Sequence, residues 1–283
     1  MKIDVHVHIT PPDIAKDYKK IGEKEPYFAM LSNSPQNKFA TAEDVVAEMD
    51  VCGFDKSVVF GFGFKDIGLC RYVNDYVAEC VSKYPDRLIG FLTVPPTASG
   101  VECEILRSVE NGLKGVGELF AEGQQFDIAD TKGMASFCRI CSELSLPVML
   151  HANEQIGHYY PGKVNLAFSD IEIFVRNNPG LKIILAHFGG GILFYELMKE
   201  IRKSFKNVYY DTSAMPFLYG SEIYKVIENI GIADKLLFGS DFPLLSPVRY
   251  EKGLKTSGIS REAENMILGE NFERLFNHPN PEH

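Results

Sequence analysis

The residues with the clearest chemical potential in this sequence are His6 and His8, in the opening run MKIDVHVHI. Apolar residues alternate with them as in a β-strand, where side chains two residues apart leave the same face. Two adjacent neutral imidazoles are well suited to bind a divalent metal ion. So short a pattern also recurs by chance, and a histidine can simply be a hydrogen-bonded core residue. The pair alone leaves both interpretations open.

The rest of the chain alternates between short strands and helices. Segments rich in β-branched and aromatic residues recur at 2–8, 56–62, 87–94, 113–120, 147–151, 182–187, 207–213 and 235–241. Helical patterns separate them, and Thr41 with Asp44 matches a capping box in which Asp replaces Glu or Gln. Eight such units in 283 residues favour an α/β fold closed into a (β/α)8 TIM barrel over an open doubly wound sheet.

The barrel accounts for the whole chain, so we predict a single domain over residues 1–283. One connection is unusually long: residues 9–40, between the first strand and the first helix, contain four prolines and many polar residues. Long connections in compact domains are usually functional or disordered. Because this one leaves the barrel end that carries His6 and His8, we predict a lid-like insertion at about 9–40. A second insertion spans 153–164.

Four more side chains capable of metal binding or proton transfer fall at predicted strand ends, where TIM-barrel active sites lie. They are Glu118 on the fourth strand, His151 on the fifth, His187 on the sixth and Asp241 on the eighth. Each also has a structural interpretation, as a capped histidine, a salt-bridged carboxylate or a turn cap. Together with the first pair they form a donor set typical of zinc and neighbouring divalent ions. The remaining histidines are not predicted ligands: His158, His278 and His283.

Composition narrows the range of partners. The formal charge is −9, with 45% hydrophobic and 24% charged residues, so no global basic field attracts nucleic acid or an anionic membrane. The N-terminus has no apolar signal-peptide region, and no stretch has the length of a membrane span. We therefore expect a cytoplasmic protein with a small-molecule substrate and no nucleic-acid or membrane partner. A homo-oligomer is compatible with the sequence.

Six segments, in order along the chain, resemble the amidohydrolase superfamily and within it the amidohydrolase-related group (amidohydrolase 2). They are DVHVH near the N-terminus, GVGEL at 115–119, LPVMLHAN at 146–153, ILAHFGG at 184–190, LLFGSDFP at 236–243 and the closing ILGENFERLF. The resemblance implies a (β/α)8 barrel that binds one or two divalent metal ions, with Zn²⁺ the expected ion.

Within this resemblance each predicted residue acquires a role. His6, His8 and Asp241 would bind the first ion. In single-metal relatives His151 is also a ligand, and His187 stands beside the reacting water. Many two-metal members use a carboxylated lysine from the fourth strand as a bridge. Here Glu118 is the only candidate for that position, as in TatD-type hydrolases, and His151 and His187 would then bind the second ion.

The resemblance predicts a metal-dependent hydrolase of a small amide, lactone or ester that uses a metal-activated water. Asp241 would act as general base toward that water, and His187 would position the water or stabilise the developing oxyanion. The alternative is a metal-dependent non-oxidative decarboxylase or hydratase of a small carboxylic acid. Glu118 as a metal bridge favours hydrolysis, whereas one ion beside an aromatic, carboxylate-binding pocket favours the lyase.

The substrate is less well defined by the sequence. Arg71, Lys163 and Arg249 could pair with a carboxylate or simply be solvated surface charges. The glycines at 189–191 predict either an anion site at the start of the sixth helix or a tight turn without a ligand. Seven aromatic residues could wall a pocket or pack in the core: Phe60, Phe62, Phe64, Tyr159, Tyr160, Phe217 and Tyr219.

Overall fold

A computed structural model describes residues 1–277, so His278 and His283 lie outside the described residues. Parallel strands follow one another in the predicted order: β1 (Ile3–His8), β2 (Lys56–Phe60), β3 (Leu88–Gly90), β4 (Val116–Leu119), β5 (Val148–Leu150), β6 (Ile183–Leu185), β7 (Val208–Asp211) and β8 (Leu236–Leu237). Each lies within the segment that its sequence pattern predicts.

The helices that connect and cover the strands are α1 (Pro12–Lys16), α2 (Tyr18–Gly22), α3 (Pro26–Ser32), α4 (Ala42–Cys52), α5 (Ile67–Lys83), α6 (Val101–Glu110), α7 (Ala121–Gln124), α8 (Thr131–Glu143), α9 (Phe168–Asn177), α10 (Lys199–Ser204), α11 (Met215–Leu218), α12 (Glu222–Asn229), α13 (Val248–Thr256), α14 (Arg261–Asn265) and α15 (Asn271–Asn277). Turns of 3₁₀ helix cover His187–Leu197 and Ala233–Lys235, and a π-helical turn covers Met266–Glu270.

The strands close into a barrel through backbone hydrogen bonds. Strands β1 to β3 form one hydrogen-bonded group and β4 to β8 another. At one seam Leu92, just beyond β3, donates its N–H to the carbonyl of Gly115 at 2.9 Å. At the other seam Asp241 donates its N–H to the carbonyl of His6, also at 2.9 Å. Both edges are therefore joined, as the predicted (β/α)8 barrel requires.

Strand β1 does not alternate regularly along its length. Between Asp4 and Val7 it holds one more residue than the paired part of β2, which is a β-bulge. Val5 therefore packs in a buried cluster formed by residues of the strands and of α15. Val7 packs in the larger cluster that includes residues of the surrounding helices. With this bulge, β1 contributes apolar side chains to the barrel interior and also directs His6 and His8 toward the carboxyl end of the barrel.

Strand β4 has the same irregularity between Val116 and Leu119. The irregular stretch contains Gly117 and Glu118. Gly117 has a φ of 132°, and a Cβ atom there would lie 2.6 Å from the carbonyl oxygen of Met149, so only glycine fits. This close approach of β4 to β5 is the local structure that presents Glu118.

The long connection at 9–40 holds three short helices, α1 to α3, that the sequence analysis did not predict. Pro12 and Pro26 begin α1 and α3, where a missing N–H leaves no helical hydrogen bond unmade. The buried Glu25 carboxylate accepts the N–H groups of Lys65 and Asp66 at 3.0 and 3.1 Å. The segment is therefore anchored to the connection that follows β2.

Two local predictions have opposite outcomes. The capping box is confirmed: the Thr41 side chain accepts the Asp44 N–H, and the Asp44 side chain accepts the Thr41 N–H. The predicted start of the sixth helix is wrong, because residues 187–191 adopt left-handed backbone and the α-helix begins only at Lys199. In the described part of the chain, no helix combines the length and apolarity needed to span a membrane.

Candidate metal centre

The six predicted site residues lie together at the carboxyl end of the barrel. They come from β1 (His6 and His8), from β4 (Glu118), from the residue after β5 (His151) and from the loops after β6 and β8 (His187 and Asp241). The exposed fraction of their side chains ranges from 0% to 13%. Residues far apart in the sequence thus form one buried polar cluster.

Glu118 lies at the centre of this cluster. Its Oε2 atom is 3.6 Å from His6 Nε2 and 3.7 Å from His8 Nε2. Its Oε1 atom is 3.0 Å from His151 Nδ1 and 3.5 Å from His187 Nε2. Each oxygen of the carboxylate therefore faces a different pair of histidines.

Asp241 completes the side of the cluster formed by β1. Its Oδ1 atom is 3.6 Å from His8 Nε2 and 3.8 Å from His6 Nε2. Asp241 and His187 both have left-handed backbone, with φ values of 65° and 55°. For a residue with a Cβ atom this conformation costs about 1–3 kcal/mol and is concentrated at functional sites.

The clustered charges shift the pKa values of these side chains. Burial alone would raise the pKa of Glu118, but His6 and His151 lower it well below its usual value. Burial lowers the pKa of His8 to about 4, and it also lowers the pKa of His151. Burial opposes the charged form of His187 too, but Glu118 raises its pKa to about 9. Glu118 is therefore ionised, and His8 and His151 have the neutral form that binds metals.

The donor atoms fit a divalent metal ion. Among residues 1–277, the Nε2 atoms of His6 and His151 are buried and have no hydrogen-bond partner. Such an atom costs about 1–3 kcal/mol unless something satisfies it, and a metal ion would do so. The donors of His6, His8 and Asp241 all lie within 4.8 Å of one another. Nitrogen and oxygen donors without a thiolate suit zinc, manganese and neighbouring ions alike.

Aromatic rings support the imidazoles from the side. Phe120 stacks on His151 with 3.8 Å between ring centroids, and Phe62 stacks on His8 at 5.0 Å. The edge of Phe60 packs against both His6 and His8. These contacts restrict the rotamers of the histidines and exclude water from their flanks.

Sequence reasoning missed Asp211, the last residue of β7. Its side chain is fully buried, and its Oδ2 atom lies 2.9 Å from His6 Nδ1. Its Oδ1 atom accepts the backbone N–H groups of His187 and Ser213, each at 3.0 Å. An Asp at the end of a strand is equally typical of a turn cap, so its sequence context alone does not reveal this role.

A cavity of about 660 Å³ opens directly above the cluster. We define the cavity floor as the site residues that line it: His8, Glu118, His151, His187 and Asp241. We define the outer wall as the cavity-lining residues of two segments, 27–38 and 154–163. The first segment belongs to the predicted insertion at 9–40, and the second belongs to the insertion that follows β5.

The two segments of the outer wall contact each other. The Tyr27 hydroxyl donates to the carbonyl of Gly162 at 3.5 Å, and the Tyr159 hydroxyl lies 3.2 Å from Met30 Sδ. The first contact is long and weak for a hydrogen bond, and the second involves the largely exposed Tyr159. The outer wall thus covers the floor with residues of two kinds: Phe28 is packed in the core, whereas Tyr159 is exposed.

Four of the seven aromatic candidates line the cavity: Phe62, Tyr159, Tyr160 and Phe217. The other three are packed elsewhere, with Phe60 and Phe64 in the core and Tyr219 against Phe188. The aromatic surface favours a substrate with a flat, unsaturated skeleton.

Of the three cationic residues that the sequence suggested could pair with a substrate carboxylate, only one lines the cavity. Lys163 lines the cavity, but its ammonium group donates to the backbone carbonyls of its own segment. Arg71 pairs with Glu104, and neither Arg71 nor Arg249 is among the lining residues. Lys38 is exposed and lines the cavity, and the sequence analysis did not propose it.

The glycines after His187 form a tight turn, which was one of the two alternatives. Their φ values are 61°, 61° and 97°. A Cβ atom on Gly190 would lie 2.1 Å from the carbonyl oxygen of Asn153, so this backbone packs against the second insertion. No α-helix starts at these glycines, so the structure gives no support to an anion site at a helix terminus.

A family model described as amidohydrolase (amidohydrolase 2) matches residues 3–277. The chain belongs to the amidohydrolase family. This confirms the resemblance that the six sequence segments indicated, and it agrees with the closed barrel. The amidohydrolase motifs supply each of the six clustered donors.

Several proteins similar to this chain are decarboxylases, and one structural neighbour is a probable 2-pyrone-4,6-dicarboxylic acid hydrolase. The 2-amino-3-carboxymuconate-6-semialdehyde decarboxylase of Dictyostelium discoideum is 24% identical to this chain, over 99% of this chain and 93% of that protein. The γ-resorcylate decarboxylase of a Rhizobium species is 25% identical, over 75% and 77%. The crystal structure of 5-carboxyvanillate decarboxylase from Novosphingobium aromaticivorans, with manganese and 4-hydroxy-3-methoxy-5-nitrobenzoic acid, has the same fold, with a TM-score of 0.76 at 17% identity over 98% and 96%.

Proposed function

We propose that this amidohydrolase is a metal-dependent, non-oxidative decarboxylase of a small, unsaturated carboxylic acid. The observation that carries the proposal is the cavity, in which aromatic side chains surround a floor of histidines and carboxylates. Its volume of about 660 Å³ accommodates one ring with its substituents. The decarboxylase relatives support this alternative over the hydrolase that the sequence first suggested.

Three residues are the expected primary ligands of the metal: His6, His8 and Asp241. Glu118, His151 and His187 supply the remaining donors of the cluster. When bound, a divalent ion supplies Lewis acidity that stabilises negative charge as the carbon–carbon bond breaks. We propose Zn²⁺ or Mn²⁺ as the ion, because the donors are imidazole nitrogens and carboxylate oxygens.

Decarboxylation also requires a proton. Loss of CO₂ leaves an electron pair on the carbon that carried the carboxylate, and that carbon must be protonated. Asp241 is the floor carboxyl group closer to solvent, with 13% of its side chain exposed against 5% for Glu118. We therefore propose that Asp241 takes a proton from solvent water and passes it to that carbon. His187, held through Nδ1 by the carbonyl of Ser213 at 3.1 Å, directs Nε2 toward the floor.

The decisive experiment measures CO₂ release in D₂O. Protein loaded with Zn²⁺ or Mn²⁺ is incubated with 2,6-dihydroxybenzoate, 5-carboxyvanillate and further unsaturated carboxylic acids. We expect one substrate to release CO₂ and its product to carry one deuterium at the carbon that lost the carboxylate. Chelation should abolish turnover, and the same ion should restore it. A protein that binds metal but releases no CO₂ from any acid of the panel would contradict the proposal.

A second function, hydrolysis of a lactone, amide or ester, is favoured by one specific observation. The two oxygens of Glu118 face two different histidine pairs, which is the arrangement of a carboxylate that bridges two ions. Metal analysis separates the two functions. Two ions per chain together with lactone hydrolysis, and no CO₂ from the acids, would establish the hydrolase.

A further inference from the structure

Asp211 contacts the proposed metal centre without belonging to it. It ends β7, a strand that supplies none of the six clustered donors, and it is not among the cavity-lining residues. Its side chain is 0% exposed. A buried carboxylate is stable only when its oxygens accept hydrogen bonds, and both oxygens of Asp211 do so at site histidines.

The contact with His6 determines which of its ring nitrogens carries the proton. An ionised carboxylate can only accept hydrogen bonds, so the Nδ1 atom of His6, 2.9 Å from Asp211 Oδ2, must be the protonated nitrogen. Asp211 Oδ1 accepts two backbone N–H groups and the Ser213 hydroxyl, and these donors favour the ionised carboxylate. The Nε2 atom of His6, which faces Glu118 and Asp241, is then the ring nitrogen available to a metal ion.

The contact with His187 acts through Ser213. The Ser213 hydroxyl donates to Asp211 Oδ1, so its oxygen can only accept from His187 Nδ1, 2.8 Å away. The carbonyl of Ser213, 3.1 Å from the same nitrogen, can also only accept. Nδ1 of His187 therefore carries a proton, and Nε2, which faces Glu118, is the ring nitrogen available to a metal ion.

The same carboxylate also holds the backbone of His187. Asp211 Oδ1 accepts the His187 N–H at 3.0 Å, and His187 is one of the two site residues with left-handed backbone. A charge-assisted hydrogen bond to that N–H offsets part of the conformational cost. One carboxylate thus controls both the ring and the main chain of His187.

We propose that Asp211 is a positioning residue, which fixes His6 and His187 in the tautomer that presents Nε2 to the metal. This inference rests on the proposed metal centre, and it requires no particular substrate. Partners that orient metal-binding histidines typically change metal affinity 10- to 100-fold when they are replaced.

The test is the Zn²⁺ affinity of Asp211→Asn, measured by competition with a chromophoric chelator. An amide has one acceptor and one donor where the carboxylate has two acceptors. If its NH₂ group faces His6, the imidazole must accept at Nδ1, and the proton moves to Nε2. We expect about 10- to 100-fold weaker Zn²⁺ binding. Affinity within twofold of the wild type would overturn the inference.

Glu196→Gln is the matched control. Glu196 is also a fully buried carboxylate attached to β7, where it accepts from Tyr210 and Lys235 at 2.7 Å, but it contacts none of the clustered donors. This variant should lose thermal stability and keep wild-type Zn²⁺ affinity. An equal loss of affinity in both variants would mean that any buried charge at β7 has the same effect, and it would overturn the assignment.

Two further measurements test the proposed role of Asp211. Long-range ¹H–¹⁵N spectra of the zinc-loaded protein should show His6 and His187 protonated at Nδ1, with at least one altered in Asp211→Asn; identical tautomers would contradict it. Should Asp211→Asn fail to fold, Ser213→Ala takes its place, with at least threefold weaker Zn²⁺ binding expected and an unchanged affinity overturning the inference. If the wild-type protein binds no Zn²⁺, both the proposed metal centre and the inference about Asp211 are overturned. A result that is seen only in the variants tests the inference about Asp211 and leaves the proposed metal centre in place.

Discussion

The cavity floor and the outer wall face the same space but are built in different ways. The floor stands on barrel strands and the turns next to them, and its side chains are held by β7, by neighbouring rings and by one another. The outer wall stands on two insertions, where 83% of Ile156 and 68% of Tyr159 are exposed. Its segments meet through long contacts such as that of Tyr27 with Gly162.

This difference separates the reaction from the choice of substrate. Rigid positioning at the floor is what proton transfer and metal binding require, because small displacements there cost large factors in rate. A wall of exposed loop side chains can change without disturbing the barrel. We therefore expect floor variants to alter kcat and metal binding, and outer-wall variants to alter KM.

The largest effect should come from Asp241→Asn. This change removes the proposed proton donor and one primary ligand, so we expect kcat to fall by about 10²- to 10⁴-fold while the thermal unfolding transition persists. Turnover is measured by CO₂ release. Arg249→Ala, an exposed change on α13 outside the cavity lining, is the control and should stay within twofold. Turnover of Asp241→Asn above one tenth of the wild type would remove its assigned role.

Glu118→Gln should rank second. Removing the negative charge between the two histidine pairs weakens metal binding, and we expect about a 100-fold loss of turnover with a lower metal content per chain. Metal analysis of the dialysed protein is the measurement. Glu122→Gln, an exposed carboxylate in α7, should keep the wild-type content. Unchanged metal content in Glu118→Gln would exclude this residue from the centre.

Lys38→Ala tests the outer wall and should have a moderate effect. An exposed ammonium that pairs with a substrate carboxylate contributes up to about 1 kcal/mol, so we expect KM to rise about two- to fivefold with kcat unchanged. Steady-state kinetics at two salt concentrations check it, because screening should reduce the difference. Lys38→Arg keeps the charge and should behave as the wild type. A fall in kcat alone would break the proposed division between floor and wall.

Tyr159→Phe should have the smallest effect. It removes only the hydroxyl that contacts Met30 Sδ and leaves the ring in the cavity lining. We expect kcat/KM to change less than twofold, whereas Tyr159→Ala, which also removes the ring, should raise KM several-fold. A Tyr159→Phe variant as impaired as Tyr159→Ala would show that the contact between the two insertions controls substrate access.

The sequence was sufficient to predict the strands and the members of the floor. Short segments rich in β-branched and aromatic residues mark the strands, and a barrel brings strand ends together. His6 and Asp241 could therefore be placed side by side although they lie at opposite ends of the chain. The lining of the cavity by residues of 9–40 fits the predicted lid-like insertion, which we retain as a proposal together with the single domain over 1–283.

The remaining features depend on contacts that no local pattern shows. The bulges in β1 and β4 interrupt stretches that look regular, because each arises from register with a neighbouring strand. Asp211 was missed since its partner His6 lies on a strand at the other end of the chain. The turn after His187 was assigned to a helix because the apolar residues that follow have helical spacing, whereas the glycines pack against Asn153.

The seam between β1 and β8 links the metal centre to the folding of the chain. Asp241 donates its N–H to the carbonyl of His6, and the side chains of the same two residues are proposed ligands of one ion. A chain whose last strand has not yet joined the first cannot offer both ligands in one place, so metal binding and barrel closure are coupled. An ion present at 100 times its Kd would stabilise the closed state by about 2.7 kcal/mol. Removal of the metal should therefore open the barrel first at the seam between β1 and β8.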